Sequence, residues 1–299
     1  MPDPPIPRRA FLAAGAALTS VSPLSTLWRG GQGVRTPERR GGQGVRTVTL
    51  GVASYSLRKF PRDQAIAMVK SLGARHVNFK SVHLPYELSA ADLGAARREI
   101  EAAGLQIVGG GVITFDQDSD AGVEKYFAYA RAAGMPLITA TADAAVLPRI
   151  ERFAKRYDIK VAIHNHGPED KHFPSPYDVL QHVRDLDPRM GLCIDVGHTA
   201  RTGTDVVRAA ADAGPRLLDM HVKDLHDLSA KGSQCIVGEG AIPIAELFQQ
   251  LQAMQYPGYV NLEYEIDADD PLPGMKQSFA YMRGVLAGQG RAATSAVAR

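Results

Sequence analysis

Cysteine, tryptophan and net charge are all scarce in this chain, and each scarcity removes a class of explanation. Two cysteines, Cys193 and Cys235, cannot build a disulfide framework. The first falls in a strand pattern and the second in a loop pattern, and both read as free thiols. A formal net charge of +2 provides no basic footprint for nucleic acid and no field for an anionic membrane surface. The one tryptophan, Trp28, stands in a leader and is expected to contribute nothing to a site. What remains is 45% hydrophobic and 22% charged, an ordinary globular composition.

The leader, residues 1–28, carries Arg8-Arg9-Ala10-Phe11-Leu12 and then a modest apolar run over 13–18. Paired arginines before such a run resemble a twin-arginine (Tat) signal peptide, which predicts export to the periplasm or beyond the cell. The run is too short and too weak for the roughly 20 residues of a membrane span. No small-x-small cleavage site stands out. Residues 29–47 repeat Arg-Gly-Gly-Gln-Gly-Val-Arg-Thr, at 29–36 and again at 40–47. Such Gly-rich, basic text cannot bury a core and reads as a linker. Without a preceding strand or a following Lys-Ser/Thr, it is not a phosphate loop.

From residue 48 on, short apolar runs alternate with helical patterns. The predicted strands are 48–54, 76–82, 105–112, 137–140, 160–165, 191–195, 217–222 and 259–265. Predicted helices occupy 63–72, 90–103, 121–133, 144–157, 176–186, 204–213 and 244–254, with a closing helix at 272–286. Gly73, Gly104, Gly134 and Gly214 each follow a helical pattern, where a left-handed cap is favoured. Strands alternating with helices imply parallel pairing. Eight such units match the size of a (β/α)8 TIM barrel, placed at 48–289, with 290–299 as a disordered tail. A doubly wound sheet would want a Gly-rich first turn, whereas Ser54-Tyr55-Ser56-Leu57 stands there.

Chemistry in such a barrel sits at the C-terminal ends of the strands. The late strands end in His164-Asn165-His166, Asp195-Val196-Gly197-His198, His221-Val222-Lys223-Asp224 and Glu263-Tyr264-Glu265. Because strand side chains alternate, His164 and His166 share a face, and Asp195, His221 and Glu263 can each point to the axis. Singly, each has a plain alternative: a hydrogen-bonded histidine, or a helix-capping aspartate. Together, two imidazoles and two carboxylates suit a divalent ion such as Mn, Zn, Co or Mg.

These four segments resemble the xylose isomerase-like TIM-barrel family, over roughly residues 48–287. That family includes sugar-phosphate isomerases and epimerases, inosose dehydratases and apurinic-site endonucleases. The resemblance implies metal ligands at Asp195, His221 and Glu263, with His164 where the epimerases have a glutamate. It also implies that His198 binds substrate hydroxyls. His166 is then the general base, or else the fourth ligand in place of His164. The endonucleases need further histidines on early strands. Val108-Gly109-Gly110-Gly111-Val112 has none, so nucleic acid is not an expected partner.

A divalent ion is a Lewis acid for a carbonyl, which makes the adjacent C–H acidic enough for a side-chain base. His166 suits that task near neutrality, and Glu263 is the second candidate acid/base. Lys223 shares the inward parity of His221 and either stabilises an oxyanion or pairs with Asp224 or Asp195. His83, after the second strand, is a substrate contact or a loop-packing residue. Glu239, in Gly238-Glu239-Gly240, is a substrate contact or part of an ordinary turn. The leading expectation is a metal-dependent isomerase or epimerase of a keto-sugar or related polyol carbonyl. Its rivals are a lyase or dehydratase acting on a 3-keto-sugar, 3-keto-glycoside or inosose, and a non-enzymatic sugar-binding barrel. The expected partner is a small sugar, without stable membrane insertion, and homo-oligomerisation stays open.

Overall fold

A computed structural model describes residues 47–297; the expected leader and residues 29–46 of the linker lie outside the described residues. In chain order the strands are β1 (Thr49–Ala53), β2 (His76–Phe79), β3 (Gln106–Phe115), β4 (Leu137–Ala142), β5 (Lys160–His164), β6 (Met190–Asp195), β7 (Leu217–Val222), β8 (Asp224–Leu225), β9 (Gln234–Cys235) and β10 (Tyr259–Leu262). All but β8 and β9 close into one parallel barrel, ordered β1-β10-β7-β6-β5-β4-β3-β2. β8 and β9 form a small antiparallel pair, which puts Cys235 in a strand rather than the expected loop. Cys193 and Cys235 are both free and buried.

The strands are covered on both faces, which explains their nearly unbroken apolar runs. Every residue of β6 is buried. Outside them, α3 (Asp120–Ala133) buries Val123, Phe127, Ala130 and Ala133 on the stripe that meets the sheet. Its ends are set locally. The Ser119 hydroxyl accepts from Gly122 N at 3.0 Å, and Gly134 takes φ 73°, a left-handed cap that an L side chain resists. Phe127 is fully buried and stacks on Phe153 of α4 (Leu147–Tyr157), with ring centroids 6.0 Å apart.

Register levels the chemistry at one end of the barrel. His164 pairs with Cys193, Asp195 with His221, and His221 with Asn261. β2 and β10 stop earlier than their apolar runs suggest, at Phe79 and Leu262. Glu263 lies just past β10 but stays on the sheet, its N–H donating to Val222 O at 2.9 Å. The closing helix α9 (Leu272–Val297) corrects the expected tail: residues 290–297 continue the helix. Among the described residues no helix is long and apolar enough to cross a membrane.

Removing the Phe127 ring leaves a cavity at the contact of α3 with α4. Phe127→Ala is expected to destabilise the barrel by about 3–5 kcal/mol, read as a shift in a urea unfolding midpoint at constant m-value.

Candidate active site

Four side chains from consecutive staves of the barrel converge: His164 from β5, Asp195 from β6, His221 from β7 and Glu263 just after β10. One ligand atom from each lies within 4.8 Å of all the others, and all four residues are buried. His164 Nε2 is 3.2 Å from His221 Nδ1 and 3.6 Å from Asp195 Oδ2, while His221 Nδ1 is 3.2 Å from Glu263 Oε2. Asp195 also fulfils its plain role as a helix cap. Its Oδ1 accepts from His198 N at 2.8 Å, opening α6 (Val196–Arg201), and Oδ2 faces the cluster. Asn165 ties the two strands together, accepting from Asp195 N at 3.1 Å and donating to the Thr199 hydroxyl at 3.1 Å.

Lys223 lies at the centre of the negative charge. Its Nζ is 3.0 Å from Asp195 Oδ2, 3.0 Å from Glu263 Oε2 and 2.5 Å from Glu265 Oε2. Burial alone would lower the lysine pKa, but the three carboxylates outweigh it and raise the value well above normal. Burial would likewise raise Asp195 and Glu263; Lys223 and the neighbouring imidazoles instead hold both carboxyls below the usual range. For His164, burial and the adjacent imidazoles push the pKa down to about 3 against the pull of Asp195. For His221, burial is overcome by Glu263, Asp219 and Asp195, which raise it to about 9.

The donor set fits a divalent cation. Nitrogen and carboxylate oxygen in equal number suit Zn, Mn or Co. Asp195 Oδ2 is buried without a hydrogen bond, its contact with Lys223 being an ion pair outside hydrogen-bond geometry. His164, Cys193 and His221 also lie close enough to share an ion. Burial and nearby carboxylates raise the Cys193 thiol well above its normal pKa. A neutral thiol is a poor ligand, so the set ending in Glu263 fits better.

His166 stands beside this group rather than in it. Its ring is half-buried, 4.4 Å from the His164 ring and 5.6 Å from that of His198 (centroid to centroid). Burial and His198 lower its pKa, so it is neutral near pH 7, and its Nδ1 lies 3.3 Å from Asp170 Oδ2. Its loop is built by its own backbone: His166 N donates to Phe173 O, and Asp170 accepts from His172 N and Phe173 N. Buried Phe173 anchors it. Arg201 donates to His198 Nδ1 at 3.3 Å, which leaves Nε2 as the protonated nitrogen of that ring.

Two further candidate substrate contacts have roles within the protein itself. His83 is buried, its Nδ1 2.9 Å from the Ser54 hydroxyl and its Nε2 3.2 Å from Leu57 O, so both nitrogens serve the protein. Glu239 is exposed in a turn that encloses Asp224. The Asp224 carboxylate accepts from the backbone N–H groups of Leu225, Gly238, Gly240 and Ile242. A Cβ on Gly240 would lie 2.2 Å from Asp224 Oδ1, so that glycine makes room for a carboxylate of the chain itself. Asp224 is therefore not the partner of Lys223. One cation escaped the sequence reading: Lys80, directly after β2, donates to Val112 O at 2.8 Å and lies over the Tyr55 ring. Burial lowers its pKa despite the attraction of Glu263. Its position at a strand's C-terminal end was the available signal.

His83 also makes a pH test. Burial lowers its pKa below the usual value near 6.5, so the folded protein holds it neutral while the unfolded chain takes up a proton first. Its contribution is present above about pH 6.5 and is lost as pH falls below that value towards the folded pKa. The gap in melting temperature between wild type and His83→Asn is therefore expected to be widest near pH 7.5 and to shrink by pH 5. A gap independent of pH would contradict a neutral His83.

Comparison with known proteins agrees with this fold. Uncharacterised proteins of Mycobacterium bovis and Mycobacterium tuberculosis are 33% identical over 97 residues, 32% of this chain and 32% of theirs. The match thus spans about a third of those relatives. Among solved structures, a D-psicose 3-epimerase shares 17% identity over 80% of this chain and 99% of its own, with a TM-score of 0.66. A zinc-binding IolI protein shares 14% over 81% and 99%, with a TM-score of 0.67. A probable 3-DHS dehydratase from Bacillus anthracis shares 14% over 78% and 99%, with a TM-score of 0.65. At such identities the likeness establishes the barrel alone. A family model described as xylose isomerase-like TIM barrel matches residues 66–285, and the chain belongs to that family.

Proposed function

We propose that the protein is a divalent-metal-dependent isomerase or epimerase that moves a proton at a carbon beside the carbonyl of a keto-sugar or related polyol. The observation that carries this reading is the convergence of His164, Asp195, His221 and Glu263 at the C-terminal mouth, with a neutral imidazole, His166, against it. Those four residues hold the ion, which supplies Lewis acidity to a carbonyl and its neighbouring hydroxyl. His166 takes the proton from the adjacent carbon; its proximity to Asp170 steadies the imidazolium that results. His198, with Nε2–H outward, donates to a substrate hydroxyl, and Lys80 meets the far end of the molecule from across the mouth. Lys223, held as an ammonium, offsets negative charge developing on oxygen. Neighbours of this fold that are named as an epimerase and a zinc-binding protein support the choice.

One observation favours a second reading, elimination from a 3-keto-sugar, 3-keto-glycoside or inosose. Glu263 is pinned as a carboxylate by Lys223 and His221, which makes it a poor carrier for a second proton. Elimination can run on a single base, and a neighbour of the fold is named as a probable dehydratase. Export remains part of the proposal, on the paired Arg8 and Arg9.

Protein purified without chelator is expected to carry a stoichiometric divalent ion by elemental analysis, and Asp195→Asn to lose most of it. His166→Ala should keep the ion yet lower turnover of the responsive ketose by roughly 10²–10⁴-fold. In deuterium oxide, solvent deuterium in a recovered isomer supports isomerisation, whereas loss of water or aglycone supports elimination. A metal-free protein that binds sugars equally well would leave only a binding barrel.

A further inference from the structure

One layer below the proposed metal donors, the barrel axis is crossed by a polar network that the reaction does not use. Asp219 lies two residues before His221 on β7 and so shares its inward face. It is buried, 3% exposed. Three neutral donors from three other strands reach it. Asn78 of β2 and Thr139 of β4 donate to Oδ2 at 3.0 and 2.9 Å, and Asn261 of β10 donates to Oδ1 at 2.8 Å. No lysine or arginine pairs with it among the described residues. The charge that faces it is His221, whose Nε2 is 3.9 Å from Asp219 Oδ2 and has no hydrogen-bond partner. On its other side the ring presents Nδ1 to His164 and Glu263.

This arrangement is costly unless the carboxylate acts on something. Barrel interiors are commonly filled by branched apolar side chains, and a buried carboxylate with only neutral donors is expensive. An apolar residue at 219 would leave the amides and hydroxyl without a target, but it would also leave His221 free to rotate or to present the wrong nitrogen. Ligating histidines are commonly oriented by a carboxylate on their other nitrogen.

We propose that Asp219 is the positioning residue for His221: its carboxylate faces the Nε2 side of the ring across 3.9 Å and attracts it electrostatically, so that Nδ1 is the nitrogen aimed at the ion. The proposal rests on the reading of His164, Asp195, His221 and Glu263 as a divalent-metal site. It assigns the Asn78, Thr139 and Asn261 layer a task, which is to fix that carboxylate in place.

The test uses cobalt(II) alone, titrated into metal-stripped protein against a chromophoric chelator, with the visible cobalt absorption as a second readout. Asp219→Asn is nearly isosteric and removes the charge; Asn78 and Asn261, which now donate through Nδ2, can flip to present Oδ1, an atom without a partner in the wild type. It is expected to weaken cobalt binding about 10–100-fold and to alter the absorption. Thr139→Val removes one hydrogen bond from the same carboxylate but leaves its charge, and should lower the melting temperature with cobalt affinity within about threefold of wild type. The 10–100-fold and threefold bounds separate a positioning role from a structural one. Wild type and Asp219→Asn binding cobalt equally would overturn this inference alone. Equal losses in Asp219→Asn and Thr139→Val would also overturn it, since general loosening would then suffice. A wild type that binds no cobalt would remove the metal site itself. Should Asp219→Asn not fold, nitrogen-15 spectra of zinc-loaded wild type decide: zinc on Nδ1 with a protected Nε2–H agrees, and zinc on Nε2 refutes.

Discussion

The site depends on a single ammonium. Asp195 and Glu263 reach into a space from which water is largely excluded, and two carboxylates that close in a low dielectric repel strongly. Lys223 touches both, as well as Glu265. Its position follows from strand alternation, two residues beyond His221 and on the same side of β7. The small residue Gly197 makes space for its stem, since a Cβ there would lie 2.7 Å from Lys223 Cδ. The Gly in Asp195-Val196-Gly197-His198 and the Lys in His221-Val222-Lys223 are therefore two halves of one contact.

Much of this was legible from the residues alone, because periodicity and strand-end chemistry are local signals. The eight-fold alternation located every barrel strand to within a few residues, and parity placed His164, Asp195, His221, Glu263 and Lys223 on the inner face. Less visible were the residues whose partners are distant in sequence. Asn165 reads as a spacer between two histidines until register brings Asp195 and Thr199 beside it. Asp219 sits among apolar neighbours, and only closure of the barrel shows Asn78, Thr139 and Asn261 converging on it. For His83 and Glu239 the sequence left a substrate contact and a packing or turn role both open, since only the fold shows that Ser54 and Leu57 occupy the first and that the second lies on the turn that encloses Asp224. Asp224 illustrates how fully a carboxylate can be consumed by backbone: Leu225 N–H and three N–H groups of the segment after β9, which folds around it, all donate to it.

The elements that carry the chemistry differ in stiffness. His164, Asp195 and His221 are part of hydrogen-bonded strands, and Glu263 is tied to β7 through Val222 O. His166 belongs to a loop that closes on itself through Phe173 and Asp170 and touches the strands mainly by ring contact. Tied to the rest of the protein chiefly by the Glu169–Arg201 ion pair and by ring contact, such a loop behaves as an interchangeable cassette. Its length and sequence can drift, re-aiming His166 or replacing it with another group, while the four-residue cluster beneath stays as it is. Lineages built on this barrel thus have a short route from one reaction to a neighbouring one that leaves the staves untouched.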